Sequence, residues 1–178
     1  IDAEGGVTAS AYQGTKHMLR CVSFYVNDNP WIQNSVYFGG TLNHQPNNWN
    51  DPQAAGGTIA TTNSFTIAED DMNWGIILPF DVSAIEIQCS LRPGLGDGDT
   101  YTLVIYTATR SNGSNSAITL TKVANQNATI SAGEYVTNDL TYTGDLDKGT
   151  MIFVGIGSSD ATDAKNGRGI MNIIATQR

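Results

Sequence analysis

The chain has 178 residues, which is the usual size of one domain and enough to bury a hydrophobic core. Hydrophobic residues make up 40% of it, as in ordinary globular proteins, and no apolar run approaches the roughly 20 residues of a membrane-spanning helix. Nine Lys and Arg residues against 17 Asp and Glu residues give a net charge of −8, and no basic stripe is present. We therefore expect neither a nucleic-acid partner nor membrane insertion.

The first 17 residues are small and polar, with glycines at Gly5, Gly6 and Gly14. This composition predicts a linker or a lead-in segment from a preceding domain, and it leaves residues 18–178 as a single domain. The chain begins at Ile1 without a signal-peptide pattern. We interpret it as the terminal piece of a longer polypeptide rather than as a processed product.

Short runs with a period of two residues recur along the chain, whereas helical patterns are scarce. The clearest run is 82–91, in which Ile85, Ile87 and Cys89 alternate with Glu86 and other polar residues. Such alternation is typical of an antiparallel strand with one buried face.

Further strands are predicted at 18–26, 35–38, 57–67, 101–109, 117–124, 135–143, 151–157 and 169–177. The Gly- and Asp-rich segment 94–99 predicts a hairpin between the strands around Ile87 and Val104, and residues 111–115 predict the next hairpin. Eight or nine short strands indicate an all-β, two-sheet antiparallel sandwich, with a jelly roll as the favoured topology.

Two of the predicted strands, 151–156 and 170–175, carry apolar residues on both faces. Either a loop covers the second face, or that face is buried against another copy of the chain. The terminal position of 170–175 favours a contact between copies, most simply in a homotrimer. The candidate interface residues are Ile152, Val154, Ile170 and Ile174.

The two cysteines, Cys21 and Cys89, both lie in apolar alternating runs. Two cysteines do not form a disulfide framework, so we expect buried free thiols. A single bridge between neighbouring strands is the alternative.

The long irregular region 27–57 is rich in Asn, Gln, Pro and Trp, and long loops on rigid sheets often carry binding residues. An indole covers the apolar face of a sugar ring, while amides and carboxylates bond its hydroxyls. The candidate ligand-binding residues are Trp31, Asn47, Asn48, Trp49 and Asp51. The alternative is that both tryptophans are structural anchors.

No catalytic or cofactor motif is present. His17 and His44 are the only imidazoles, and His44 has no carboxylate or Cys at metal-ligand spacing. The nucleophile elbow, the P-loop and the dinucleotide fingerprint are absent from the sequence. We expect no enzyme activity, no cofactor and no metal; calcium in the acidic loops 97–100 or 160–166 is a minor alternative.

Several segments carry a family resemblance. The run 71–93, which begins DMNWGIILPFDV, is accompanied by 21–29, 47–52, 139–146 and 165–172. Together they resemble the C-terminal domain of virion structural or tail-fibre proteins of marine bacteriophages, over most of the chain after Arg20. The resemblance implies a particle-borne module whose partners are its own copies and other virion proteins. It brings no catalytic motif and no known binding residue.

The expected function is therefore that of a virion domain, the outer part of a tail fibre or similar appendage, which binds a glycan of the host surface. Several shallow sites on an oligomer gain strength through multivalency. One alternative is a capsid decoration or cement protein. A polysaccharide-degrading tail enzyme is the weakest alternative, because no acid–base pair is identifiable.

Overall fold

The computed structural model describes residues 13–26, 37–38, 63–67, 75–93, 100–109, 118–129, 136–158 and 167–178. These residues form ten β-strands and no helix. The strands are β1 (Lys16–Val26), β2 (Tyr37–Phe38), β3 (Ser64–Ile67), β4 (Ile76–Ile77), β5 (Val82–Pro93), β6 (Thr100–Ala108), β7 (Ile118–Thr129), β8 (Val136–Leu146), β9 (Met151–Ser158) and β10 (Gly167–Gln177). Within the part of the chain that the structure describes, no helix has the length and hydropathy of a membrane span.

The strands form two antiparallel sheets. The four-stranded sheet has the order β1-β10-β5-β8, and the six-stranded sheet has the order β2-β9-β6-β7-β3 with β4 also paired to β9. Without the short strands β3 and β4, the two strand orders β1-β10-β5-β8 and β2-β9-β6-β7 are those of a jelly roll. The predicted all-β sandwich and its topology are confirmed.

The strand positions follow the predictions closely, with one error in connectivity. β5 pairs with β10 and β8, whereas β6 pairs with β7 and β9 in the other sheet. β5 and β6 therefore lie in different sheets and do not form the predicted hairpin; the segment 94–99 itself lies outside the described residues. The pairing of β6 with β7 agrees with the second predicted hairpin. β4 was not predicted, because two residues give no periodic signal.

The main core fills the space between the sheets. On β5, Val82, Ile85, Ile87 and Cys89 are buried there, as the alternation predicts. Other strands contribute side chains to the same cluster: Leu103 and Ile105 from β6, Leu140 from β8, Ile152 and Val154 from β9, and Met171, Ile173 and Ala175 from β10.

A second cluster lies on the other face of the six-stranded sheet. It consists of Val104, Tyr106, Ala108, Ile118, Leu120, Met151 and Phe153. Successive residues of a strand point to opposite faces, so β9 contributes Ile152 and Val154 to one cluster and Met151 and Phe153 to the other.

This arrangement explains the two apolar faces of β9 within a single chain. Ile152 is fully buried and Val154 is 6% exposed, both in the core between the sheets. Neither side chain is available to another copy. The assignment of Ile152 and Val154 to an oligomer interface is therefore wrong; they are core residues of the chain itself.

The two apolar faces of β10 have a different explanation. Met171 and Ile173 are buried in the core, but Ile170 is 57% exposed on the outer face and Ile174 is half-buried. Met18 on β1 pairs with Ile174 and is 62% exposed. Met18 and Ile174 are thus neighbours on the solvent side of the four-stranded sheet, and Ile170 lies on the same face beyond Asn172. We call these three apolar residues, Met18, Ile170 and Ile174, the outer strip.

The cysteines are both free. Cys89 is buried in the core, whereas Cys21 is exposed on β1. The strands β1 and β5 are separated by β10, so the two thiols are not on neighbouring strands and a bridge is excluded in this fold. The prediction of a buried thiol is confirmed for Cys89 and wrong for Cys21, whose strand lies at a sheet edge.

Candidate functional site

A cleft of about 590 Å³ opens between the two sheets at one end of the sandwich. Ligand sites in proteins have volumes of about 300–1,000 Å³, so this cleft is within their range. Its walls are formed by Thr107, Ala108, Thr109, Ile118, Thr119, Thr121, Asp145, Leu146, Asp147 and Thr150. Because five of these residues are threonines, we call it the threonine cleft.

One wall comes from the adjacent ends of β6 and β7. Thr107 of β6 and Thr121 of β7 are direct cross-strand partners, so their side chains stand side by side. Thr109 and Thr119 continue the two strands and are exposed. The wall therefore presents a row of hydroxyl groups, each able to donate and to accept a hydrogen bond.

The opposite wall is the end of β8 and the turn that follows it. The amide of Gly149 donates to the carbonyl of Leu78 at 2.9 Å, and the amide of Leu78 donates to the carbonyl of Thr150 at 2.9 Å. The amide of Lys148 donates to Oδ1 of Asp81 at 2.7 Å. These bonds fix the turn in position, so the wall exists before any ligand arrives.

Glycine is required at one position of this turn. Gly149 has φ +89°, a left-handed conformation that side-chain-bearing residues rarely adopt. A side chain at this position would have free space, so the constraint is the backbone conformation alone.

A guanidinium bridges the two carboxylates of the cleft. Nη1 of Arg178 lies 2.9 Å from Oδ2 of Asp145, and Nη2 lies 2.9 Å from Oδ1 of Asp147. These hydrogen bonds raise the pKa of Arg178 above its usual value, first through Asp145 and then through Asp147. All three side chains are solvent-accessible, so the pairs are screened and contribute little stability.

The two carboxylates of the cleft can be compared with the pair that a glycoside hydrolase needs. Hydrolysis of a glycosidic bond requires one carboxyl group as a proton donor and another as base or nucleophile. Here both carboxylates accept hydrogen bonds from the same guanidinium. Among the described residues, no group of three His, Cys, Asp or Glu side chains is placed to hold a metal ion.

The ligand-binding residues predicted from the sequence, Trp31, Asn47, Asn48, Trp49 and Asp51, lie outside the described residues. The threonine cleft was not predicted. Its sequence signal is the Thr-x-Thr alternation at 107–109 and 119–121, which places pairs of hydroxyls on one strand face.

No protein-family model and no curated protein matches the sequence. Among solved structures, the chain is similar to an α-amino acid ester hydrolase, with 9% identity and a TM-score of 0.40. It is also similar to an aminopeptidase from a marine sediment archaeon of the Thaumarchaeota, with 8% identity and a TM-score of 0.40. A third similar structure holds the CBM22-1 and GH10 modules of the Clostridium thermocellum endo-1,4-β-D-xylanase 10B with xylohexaose, with 9% identity and a TM-score of 0.38.

These similarities cover 89%, 90% and 94% of this chain but only 32%, 33% and 29% of the matched chains. The chain thus spans about a third of the length of those structures. Similarity at this level extends no activity to it.

Proposed function

We propose that this chain is a bacteriophage virion domain that forms the outer part of a tail fibre or similar appendage and binds a glycan of the host surface without cleaving it. The observation that carries the proposal is the threonine cleft, which offers hydroxyls and carboxylates on preformed walls but no separate acid and base. The sequence resemblance to marine phage virion domains is the reason for proposing that the domain is part of a phage particle.

The fold is compatible with this role, although it does not specify it. Jelly rolls occur in viral capsid proteins and in lectins, so the same architecture serves both assembly and sugar binding. A fold-level analogy of this kind supports a function only together with a site.

Binding to cells is the direct test. The domain, fused to a fluorescent protein, is incubated with a panel of marine bacterial isolates and measured by flow cytometry. We expect saturable labelling of some isolates, and loss of that labelling after periodate oxidation of the cell-surface sugars. The absence of labelling on every isolate would contradict the proposal, and labelling that survives periodate would exclude a glycan receptor.

The second candidate is a capsid decoration or cement protein, and the outer strip favours it. Met18 and Ile170 are exposed apolar side chains on a sheet face that is otherwise mostly polar. A contact with another protein would remove both side chains from water. Cement function predicts that the domain binds purified phage particles and no host cells.

The proposed homotrimer uses the same strip. With Ile152 and Val154 assigned to the core, Ile170 and Ile174 remain as interface residues, and Met18 joins them. A symmetric oligomer would present several threonine clefts to one cell surface, and weak sites would then bind together.

A further inference from the structure

The inner face of the six-stranded sheet changes from apolar side chains to threonines at the threonine cleft. Along β6, Leu103 and Ile105 point into the core between the sheets. Thr107 and Thr109 continue on the same face, because side chains alternate along a strand and Tyr106 and Ala108 belong to the opposite cluster.

β7 shows the same change. Ile118 and Leu120 are buried in the cluster on the other face, so Thr119 and Thr121 point toward the four-stranded sheet. The inner faces of a sandwich are normally filled by interdigitating apolar side chains. Here hydroxyl groups replace them and face a cleft of about 590 Å³.

The rim of the cleft carries a small negative charge. Arg178 bonds to Asp145 and Asp147, and Asp81 accepts from the backbone amide of Lys148, so three carboxylates and the two cationic residues Arg178 and Lys148 lie here. Arg178 is already engaged by Asp145 and Asp147, and the three carboxylates and two cations together keep a net charge of −1, which disfavours an acidic ligand. The whole chain, with a net charge of −8, adds to the repulsion of anions.

We propose that the threonine cleft is the glycan subsite and that it selects neutral saccharides over those carrying uronate or sulfate groups. Thr107 and Thr121 exchange hydrogen bonds with sugar hydroxyls, and Asp145 and Asp147 accept from them. The threonine methyl groups and the half-buried Leu146 contact the C–H face of the sugar. This inference rests on the proposed function and names the place and the charge class of its ligand.

The first test is an array of bacterial surface polysaccharides, divided into neutral and uronate-containing members, probed with the labelled domain at low salt. The strongest binding is expected among the neutral members. Preferential binding to acidic members, or binding to no member of the array, would overturn the proposal. Low salt is used because it makes charge discrimination largest.

The second test changes the hydroxyls without changing the shape. Thr107→Val and Thr121→Val each remove one hydroxyl, and we expect affinity for the best neutral polysaccharide to fall about 3- to 10-fold in each variant. Thr141→Val is the matched control, because Thr141 is exposed on β8 and does not line the cleft. Unchanged affinity in both cleft variants, with thermal unfolding like that of the parent, would overturn the proposal.

The third test reverses the charge preference. In the Asp145→Asn, Asp147→Asn double variant, Arg178 loses both ionic partners and becomes available to an anion. We expect binding of acidic polysaccharides to increase at least several-fold relative to neutral ones. A preference unchanged from the parent would show that these carboxylates do not set specificity.

Cell labelling separates the two proposals. If the Thr107→Val, Thr121→Val double variant labels marine isolates as strongly as the parent, the cleft is not the site but host binding remains. If the parent itself labels no isolate, the proposed function fails independently of the cleft.

Discussion

The two cysteines differ because of where their side chains stand. Cys89 points into the core, where burial, with a smaller contribution from the charge of Asp139, raises its pKa to about 12. Cys21 lies on an edge strand and is exposed. A thiol reacts as its thiolate, so a buried thiol with so high a pKa is inert near neutral pH.

We therefore expect one thiol per native chain to react rapidly with a disulfide reagent at about pH 8, and the second to react only after unfolding. The measurement is the absorbance of the released reagent, and Cys21→Ser is the control that removes the rapid phase. Two rapid thiols in the native protein would contradict the burial of Cys89.

An ion pair crosses the outer face of the four-stranded sheet. Nζ of Lys16 lies 2.6 Å from Oε2 of Glu86, and Gln88 donates to Oε1 of Glu86 at 2.8 Å. These two hydrogen bonds, that from Lys16 first, lower the pKa of Glu86 below its usual 4.5. A lowered carboxyl pKa contributes stability above the unfolded-state pKa, and this stability is lost as the pH falls through the folded-state value.

Glu86→Gln should therefore lower the free energy of unfolding by less than about 1 kcal/mol at neutral pH, because the pair is partly solvated. The difference from the parent should vanish in strong acid, where Glu86 is protonated in both folded and unfolded states. Urea unfolding of both proteins at neutral pH and in strong acid measures this difference in unfolding free energy. An equal loss of unfolding free energy at both pH values would show that the Glu86 side chain acts through packing and not through charge.

At the scale of strands, β9 is held by contacts on both of its faces. Phe153 is fully buried in the second cluster, and its ring lies against Gly75. A Cβ atom at position 75 would stand 2.7 Å from Cζ of Phe153, which is too close for any side chain.

Gly75→Ala should destabilise the fold by about 1–3 kcal/mol, the usual cost of overpacking a core. Gly144→Ala is the comparison: its Cβ would meet the phenol end of Tyr142, a half-buried side chain that has room to move. Chemical unfolding of both variants tests the ranking. A larger loss in Gly144→Ala than in Gly75→Ala would contradict it.

The sequence predicted strands better than it predicted their partners. The alternation at Ile85, Ile87 and Cys89 identified the buried face of β5, because burial on one face imposes a period of two residues. The partner of β5 is not encoded locally: β5 pairs with β10, about 80 residues away, and not with its neighbour β6. The same limit applies to Ile152 and Val154, since apolar residues on both faces do not reveal what covers each face.

The cleft was missed for a related reason. Thr107 and Thr121 look like ordinary strand residues, since threonine is common on sheets. They line a cleft only because β6 pairs with β7 and the end of β8 forms the opposite wall. A hydroxyl-lined space between two sheets is therefore a property of the tertiary fold.

For the whole molecule, we expect three copies to assemble through the outer strip. If copies pack through Met18, Ile170 and Ile174, the native mass measured by light scattering should be three times the 19.0 kDa of one chain. The double variant Ile170→Asp, Ile174→Asp should lower the native mass to that of one chain, because burying a charge in an apolar contact costs free energy. Thr129→Asp, at an exposed position of the other sheet, should leave it unchanged. A single-chain mass for the parent would contradict the trimer.

A nuclear magnetic resonance titration shows whether the ligand of this domain binds in the threonine cleft. The isotope-labelled domain is titrated with a neutral polysaccharide fragment that it binds, and the backbone amides and tryptophan indoles are followed together. We expect the largest shifts at Thr107, Thr121, Asp145 and Thr150. Shifts confined to the indole signals of Trp31 and Trp49, with the cleft amides unmoved, would contradict the cleft and return the site to the loop first predicted from the sequence.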